Sequence, residues 1–535
     1  MEQITATDLL SIGLKPSKEF GLALKEGVRL ATEGTPKAEI LEALKKFIKV
    51  APPTIPLRKS KLPIAWAMGT PETQEEIINQ DAVRNSLSKL SAVPVVTAIA
   101  AMPDACPTGD VITVGGCVVY DNAISPSSHS ADACCSMQAT FFPPTVGHAE
   151  QMEQLLKATR FGQGGRPRSG WVHHAILDEY PTHNPYLKGL EHYAAQHMAD
   201  QGDGNHFAYL GNMDVTPVML AALVTAGYRD LATQIENIAV NGKCHVLVTH
   251  HGSRGLGAQV YKRGKETAQR MTNEICPGVP EGTEWIPFDT QEGKDYYDAL
   301  QYVEKWTKAN HESIHQRFLN AIGLINDSKK FGEGKEIKCP QCDHGNNPNR
   351  SYCWHCRSFL WDSKDKYAEL FNAHNFVWKR GHLFYHGKGA TPAWKDEQGR
   401  PLLGLIPMNM SSPILFVAGG DNKDFLSFAP HGAGRNRSRT ATIRSYESKE
   451  ALDAAVETTT KGIDVRWYSG TPDPSETPIG YKEPQKVIDE IVTHKLAQVL
   501  GIITPRGCIM SGEAPEPFWK AEKRAKKAAK DATQK

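Results

Sequence analysis

The chain has 535 residues, with 61 Lys and Arg against 60 Asp and Glu, a net charge of +1, and 40% hydrophobic and 23% charged residues. This length holds two to four domains or one large domain with insertions, in the composition range of soluble globular proteins. A near-zero net charge excludes a global field that would attract nucleic acid or a membrane, so any anion site must come from local clustering.

The apolar runs Val215 to Tyr228 and Leu496 to Thr504 are broken by proline or too short to span a bilayer. The start, MEQITATDLL, lacks a basic lead and an apolar core, and the reading is a cytoplasmic protein without membrane attachment. Eleven cysteines, one adjacent pair among them, fit thiols and metal ligands in a reducing compartment better than a disulfide framework.

Residues 1–60 read as a helical N-terminal extension. Thr35 followed by Pro36 is a helix start, and Ile40, Leu41, Leu44, Phe47 and Ile48 form a helical stripe, with a weaker one at Phe20, Ala23, Leu24, Gly27 and Ala31. From Lys61 the texture is β-rich. Pro94–Met102 and Val111–Tyr120 predict strands, with Met102-Pro103-Asp104 a turn between them. Next comes Asp132-x-x-Cys135, which suits a carboxylate and a thiolate sharing a divalent metal, although a capping Asp beside a buried Cys is the commoner source of that spacing.

The GDGNHF segment delivers Asn205 and His206 from a glycine turn into an apolar run. A short strand at Val246–Val248 ends in His250 and His251 and opens into a Gly/Ser/Arg loop containing Arg254. Asp295–Leu319 predicts an amphipathic helix. Within 333–362, Cys339-Pro-Gln-Cys342 and Cys353-Trp-His-Cys356, ten residues apart, have the spacing of a four-thiolate structural zinc site, a zinc ribbon or knuckle. His374-Asn375 and Lys388 between two glycines follow, then β-like runs at Gly404–Met410 and Ile414–Gly420.

Ser427–Thr440, SFAPHGAGRNRSRT, sets His431 before flexible backbone and three arginines within five residues, which suits an imidazole meeting a phosphate. Lys482–Leu500 predicts a final helix with Val487, Ile488, Ile491 and Val492 buried. The lysine-rich tail, 516–535, reads as a solvated helix, with transient RNA contact as the alternative.

In chain order, Asp132-x-x-Cys135, GNHF, His250-x-Gly-Ser-Arg, His374-Asn375, Lys388-Gly-Ala and His431-Gly-Ala-Gly-Arg resemble the RtcB family of RNA-splicing ligases over residues 68–512. The resemblance implies an α+β fold of packed sheets around a metal-lined cleft. The core would span 61–515 with the zinc module inserted. It implies one manganese on Asp132, Cys135 and His206 and a second on Cys135, His250 and His374. His431 would attack the α-phosphate of GTP. Nucleotide contacts would come from Asn205, Phe207, Asn375, Pro407, Asn409, Gly432, Ala433, Gly434, Tyr481 and Ser511. RNA phosphates would meet Arg254, Arg435, Arg437 and Arg439. The reaction implied joins a 2′,3′-cyclic-phosphate or 3′-phosphate end to a 5′-hydroxyl, in tRNA splicing or RNA repair; members of the family can need an activating helper protein, and this chain is read as a monomer.

Four positions depart from the family pattern: Tyr209 stands where a glutamate is usual, Ser511 where a lysine is, Cys106 where a histidine is, and Met408-Asn409 where Gly-Ser is. Guanine edges would lose partners, at about 1–3 kcal/mol for each buried polar group left unpaired. The expectation is altered or relaxed nucleotide choice, ATP or another NTP included. Two other readings stay open: an enzyme that only caps 3′-phosphate ends with a nucleotide, and a sensor that binds broken ends without sealing them.

Overall fold

The computed structural model describes residues 3–47, 54–109, 111–325, 337–338, 342–346, 355 and 366–513. Contacts divide the chain into two units, Met1–Pro56 with Asn273–Pro277, and Leu57–Thr272 with Gly278–Lys535. In the first, helices Ala6–Ser11, Lys18–Thr32 and Lys37–Leu44 enclose Leu9, Leu14, Ala23, Ile40 and Leu44. The third helix begins at Lys37 with Pro36 as the flanking residue, one position later than Thr35-Pro36 predicts.

The second unit is mixed α/β, built on two sheets. The larger runs in the order Ala368–Ala373, Ser136–Phe142, Lys243–His251, Phe207–Asp214, Ala497–Met510, Ile414–Gly419 and Leu403–Pro407, all antiparallel neighbours; Asp464–Trp467 adds in parallel to Ala497–Met510. Its central strands are apolar on both faces, and successive side chains serve different layers. Phe141, Tyr209, Val246 and Val248 pack with Met219 and Ile235, on helices Pro217–Thr225 and Arg229–Ile238. Phe142, Leu210 and Leu247 pack with Met152 and Phe318, on helices His148–Ala158 and Gln291–Ala321. Each such large side chain, fully buried, contributes about 1.5–3 kcal/mol.

The smaller sheet runs Ile64–Trp66, Val96–Cys106, Val114–Asp121, Leu383–Lys388 and Asn375–Arg380, with only its first pair parallel. The chain leaves the larger sheet at Ala373 and enters the smaller at Asn375, so His374 occupies the junction.

Several sequence expectations need correction. Met102-Pro103-Asp104 is not a turn but part of the Val96–Cys106 strand, and Pro103 falls where the register shifts between Ala101 and Cys106, a position suited to a residue without an N–H. The following strand starts at Val114, not Val111. The final helix ends at Thr493; Lys495 turns the chain at φ +50° into the strand Ala497–Met510, and Val492 is exposed. Arg254 opens a helix, Arg254–Ile275, in place of a loop. A helix at Gln74–Leu90 is not among the expected elements, although its capping box, Thr73 with Glu76, is visible as Thr-x-x-Glu.

Among the described residues, no helix is long and apolar enough to cross a membrane. Cys339, Cys353 and Cys356 and the tail 516–535 lie outside the described residues. Cys342 lies inside them, its sulfur within 4.8 Å of ligand atoms of His344 and His355.

Candidate active site

Strand register gathers residues that are far apart in the chain. Ser136 faces His251 on one side and Ala373 on the other, while Phe207 faces His250 and Met510. Cys135 and His206 immediately precede their strands, and His374 immediately follows its own, so all of them meet His250 at one end of the sheet.

The ligand-type atoms converge in two groups that share a sulfur: Asp132, Cys135 and His206, and Cys135, His250 and His374, each group within 4.8 Å. Cys135 Sγ lies 3.6 Å from His206 Nε2 and 3.2 Å from His250 Nε2. His206 Nε2 is 3.0 Å from Asp132 Oδ2, and the Nε2 atoms of His250 and His374 are 3.0 Å apart. His250 Nδ1 donates to the carbonyl of Asn205 at 3.1 Å, which leaves Nε2 as a lone-pair donor.

Burial pushes the Cys135 thiol well up, drives His250 down to about 3 and pulls His374 well below the ordinary histidine range. For Asp132 burial works in the opposite sense, but His206 and Arg254 beside it hold the carboxyl below the usual range. Imidazole nitrogens, a carboxylate and a thiol that a cation would deprotonate are a donor set that could hold divalent metal, with Cys135 common to both groups. Arg254 braces this end: its Nη1 is 3.2 Å from His206 Nδ1 and its Nη2 is 3.4 Å from Asp203. Its guanidinium lies where a Cβ on Gly202 would project, and Gly202 has φ +86°, so the position needs glycine twice over.

His431 stands beside the second group, its ring centroid 4.8 Å from that of His374. Its Nδ1 donates to Asp104 Oδ2 at 2.7 Å, and its backbone N–H reaches the same oxygen at 3.3 Å. Asp104 is fully buried and His431 is partly exposed, at 15%. With Nδ1 donating to Asp104, the lone pair of the ring is on Nε2. Lys482 fixes the carboxylate's strand by donating to the carbonyls of Pro103 (3.0 Å) and Ala105 (2.8 Å). A Cβ on Gly434 would overlap the Asp104 carbonyl, which explains a glycine there at φ +71°.

A cavity of about 700 Å³ opens from His431. Asn205, Phe207, Pro407, Asn409, Gly432, Ala433, Gly434, Tyr481, Arg435, Arg437 and Arg439 line it, as do Tyr209, Met408, Met410, Cys508 and Met510. Three expected contacts are not among its lining. Asn375 accepts from Gly389 N at 2.6 Å and acts as scaffold, Ser511 is buried with its carbonyl taken by Ser469, and Arg254 faces His206.

Sequence reasoning missed two carboxylates that organise this cavity. Asp104 is one. The other is Glu476, a buried residue that receives Arg435 at 2.6 Å, Arg439 at 2.5 Å and the Tyr481 hydroxyl at 2.6 Å. Arg435 also lies 4.4 Å over the Tyr481 ring, and Arg437 pairs with Glu75. The arginines therefore form a braced wall with part of their donor capacity already used. The clue to Asp104 is an aspartate inside an apolar strand, which needs a partner; no comparable signal marks Glu476. Tyr209, at the position where glutamate is usual, is buried and donates to the Ile503 carbonyl at 3.1 Å.

The family described as tRNA-splicing ligase RtcB matches residues 179–345 and 358–511. The chain is similar to the tRNA-splicing ligase RtcB of Thermococcus kodakarensis, 25% identical over 58% of this chain and 59% of that protein. It is equally similar to that of Pyrococcus horikoshii, 25% identical over 58% of this chain and 33% of that protein. The RNA-splicing ligase RtcB of Mycobacterium bovis is 25% identical over 58% of this chain and 63% of that protein. The chain thus spans between a third and about two thirds of the length of these relatives. With the family match covering more than half of its residues, and the two ligand groups brought together beside His431, the chain belongs to the RtcB family.

Proposed function

We propose that this protein is an RNA ligase that joins a 3′-phosphate end, or a 2′,3′-cyclic phosphate first opened by water, to a 5′-hydroxyl through a nucleotide carried on His431. The observation that carries this reading is the Asp104–His431 pair beside two three-donor groups. Asp132, Cys135 and His206 would hold one manganese, and Cys135, His250 and His374 a second. Bound there, the ions would neutralise phosphate charge and hold attacking and leaving atoms in line.

Asp104 keeps the proton on Nδ1, so His431 Nε2 attacks the α-phosphorus of an NTP while the bond to the β-phosphate oxygen breaks and pyrophosphate leaves. Asp104 stabilises the charge that develops on the ring. The nucleotide then passes to an oxygen of the RNA 3′-phosphate, freeing His431. A 5′-hydroxyl attacks the activated phosphate, forms the phosphodiester and expels the NMP. Asn205 and the Gly432–Gly434 backbone would orient the phosphates, Arg435, Arg437 and Arg439 would face RNA, and Arg254 would hold His206 in place.

The rest of the reading is a cytoplasmic protein with core 61–515, an N-terminal extension, and a structural zinc on Cys339, Cys342, Cys353 and Cys356. GTP is the family's nucleotide, yet the cavity wall of Tyr209, Met408, Met410 and Met510 holds no free carboxylate for a guanine edge, which supports relaxed choice. The test is intact mass after incubation with manganese and each NTP, followed by RNA bearing a cyclic phosphate and a 5′-hydroxyl. An adduct lost in His431→Ala, and joined product, are expected. Capped but unjoined ends would convert the reading to a capping enzyme, bound ends without an adduct to a sensor, and an adduct from GTP alone would end the case for relaxed choice.

A further inference from the structure

Before the family-matched residues begin at 179, the chain makes a glycine-rich excursion, Arg160 to Trp171, reading RFGQGGRPRSGW. It is tied to the strand end that carries His206: Gly162 N donates to Gly202 O at 2.7 Å, and Gln201 N to Arg160 O at 2.8 Å. Its far side meets the cavity rim, because Phe161 packs 5.6 Å from Tyr468, whose N–H bonds the carbonyl of the cavity-lining Met510 at 2.9 Å.

Positive charge is in excess here. Arg160 pairs with the buried Asp200 at 3.0 Å, but that carboxylate is already shared with His197 Nδ1 at 3.0 Å. Arg166 donates to the carbonyls of Met198 and Ala199, and Arg317 to that of Ala158; neither they nor Arg168 form an ion pair among the described residues. Burial, with Arg317 and Arg160 close by, pulls Arg166 below the usual arginine range, although Asp200 opposes this. Two aromatic faces stand out beside these charges, Trp171 at 37% and Tyr468 at 44% exposure. The Arg168 guanidinium lies 5.7 Å over the Trp171 ring, and the indole N–H is anchored on the Arg166 carbonyl at 3.1 Å.

Guanidiniums without carboxylates attract phosphate, and exposed aromatic rings are platforms on which unpaired bases stack. We infer that Arg160–Trp171, with Tyr468 and Arg317, is a shelf for single-stranded RNA, leading a strand across the Gly202 turn toward the metal-ligand end of the cavity. Arg166, Arg168 and Arg317 take the phosphates, and Trp171 and Tyr468 stack bases. This rests on the ligase reading for its occupant; the shelf itself is built from charge and aromatic exposure.

The test uses the full chain with manganese and a short fluorescent single-stranded RNA, in wild type and in Arg168→Ala, Trp171→Ala and Tyr468→Ala. All three side chains are exposed, so folding should be unaffected. Each aromatic replacement should weaken binding about tenfold, within the range for losing one stacked base. Arg168→Ala should reduce the slope of log affinity against log salt by about 1. The nucleotide adduct on His431 should be unchanged in all three. Unchanged RNA affinity and salt slope would overturn the shelf while leaving the ligase reading intact. Equal losses with duplex RNA would also overturn it, by showing a general polyanion surface. Absence of any adduct in wild type would count against the ligase reading alone.

Discussion

The two ends of the cavity are built on opposite rules. At one end, an aspartate, a cysteine and three histidines set their donor atoms within a few ångströms of one another, with Asp104 and His431 alongside. At the other, Tyr209, Met408, Met410, Cys508 and Met510 offer bulk and polarisable sulfur. A group that bonds to a reacting atom has few substitutes, since its lone pair, proton and position are all specified. A flat heterocycle can be held by many walls, so this is where a chain can diverge and keep its chemistry.

The comparison is broken most directly at the shared sulfur. Cys135→Ala removes a donor from both groups, and native mass spectrometry should show both ions lost, whereas His374→Ala should cost one; retention of both ions by Cys135→Ala would show that the sulfur does not bridge. Asp104→Asn comes next. It preserves shape but permits the wrong ring tautomer, and the rate of adduct formation on His431 should fall about 100-fold or more. An unchanged rate would make the carboxylate merely structural. The smallest effect belongs to the variable end. Tyr209→Phe removes one hydrogen bond to the Ile503 carbonyl, so chemical denaturation should register a loss of about 1 kcal/mol, with adduct formation within a factor of about three. A larger fall in adduct formation than in stability would mean that the hydroxyl contacts the nucleotide.

Much of the reactive end is legible in the sequence, because each ligand sits in a short pattern: Asp-x-x-Cys, Gly-Asn-His-Phe, or histidine at the end of an apolar run. Their meeting follows from the family resemblance and not from the spacing of the residues, since it depends on the register that sets Ser136 opposite His251 and Phe207 opposite His250. Asp104 is hidden by its neighbour: a proline before an aspartate reads as a turn, and only the register shift shows that the strand continues. The last strand is hidden by periodicity. Val487, Ile491 and Leu496 carry an apolar spacing past the helix end, and the left-handed Lys495 that reverses the chain leaves no mark in residue type.

His374 is the one residue between the last position of one sheet and the first of another. An ion shared by Cys135 and His374 would therefore act as a rivet between the two sheets, and its binding free energy would be linked to the work of separating them. A free ion concentration of about 100 times the dissociation constant would add about 2.7 kcal/mol to the stability against unfolding. Ion availability would then set the lifetime of the folded protein as well as its rate of turnover.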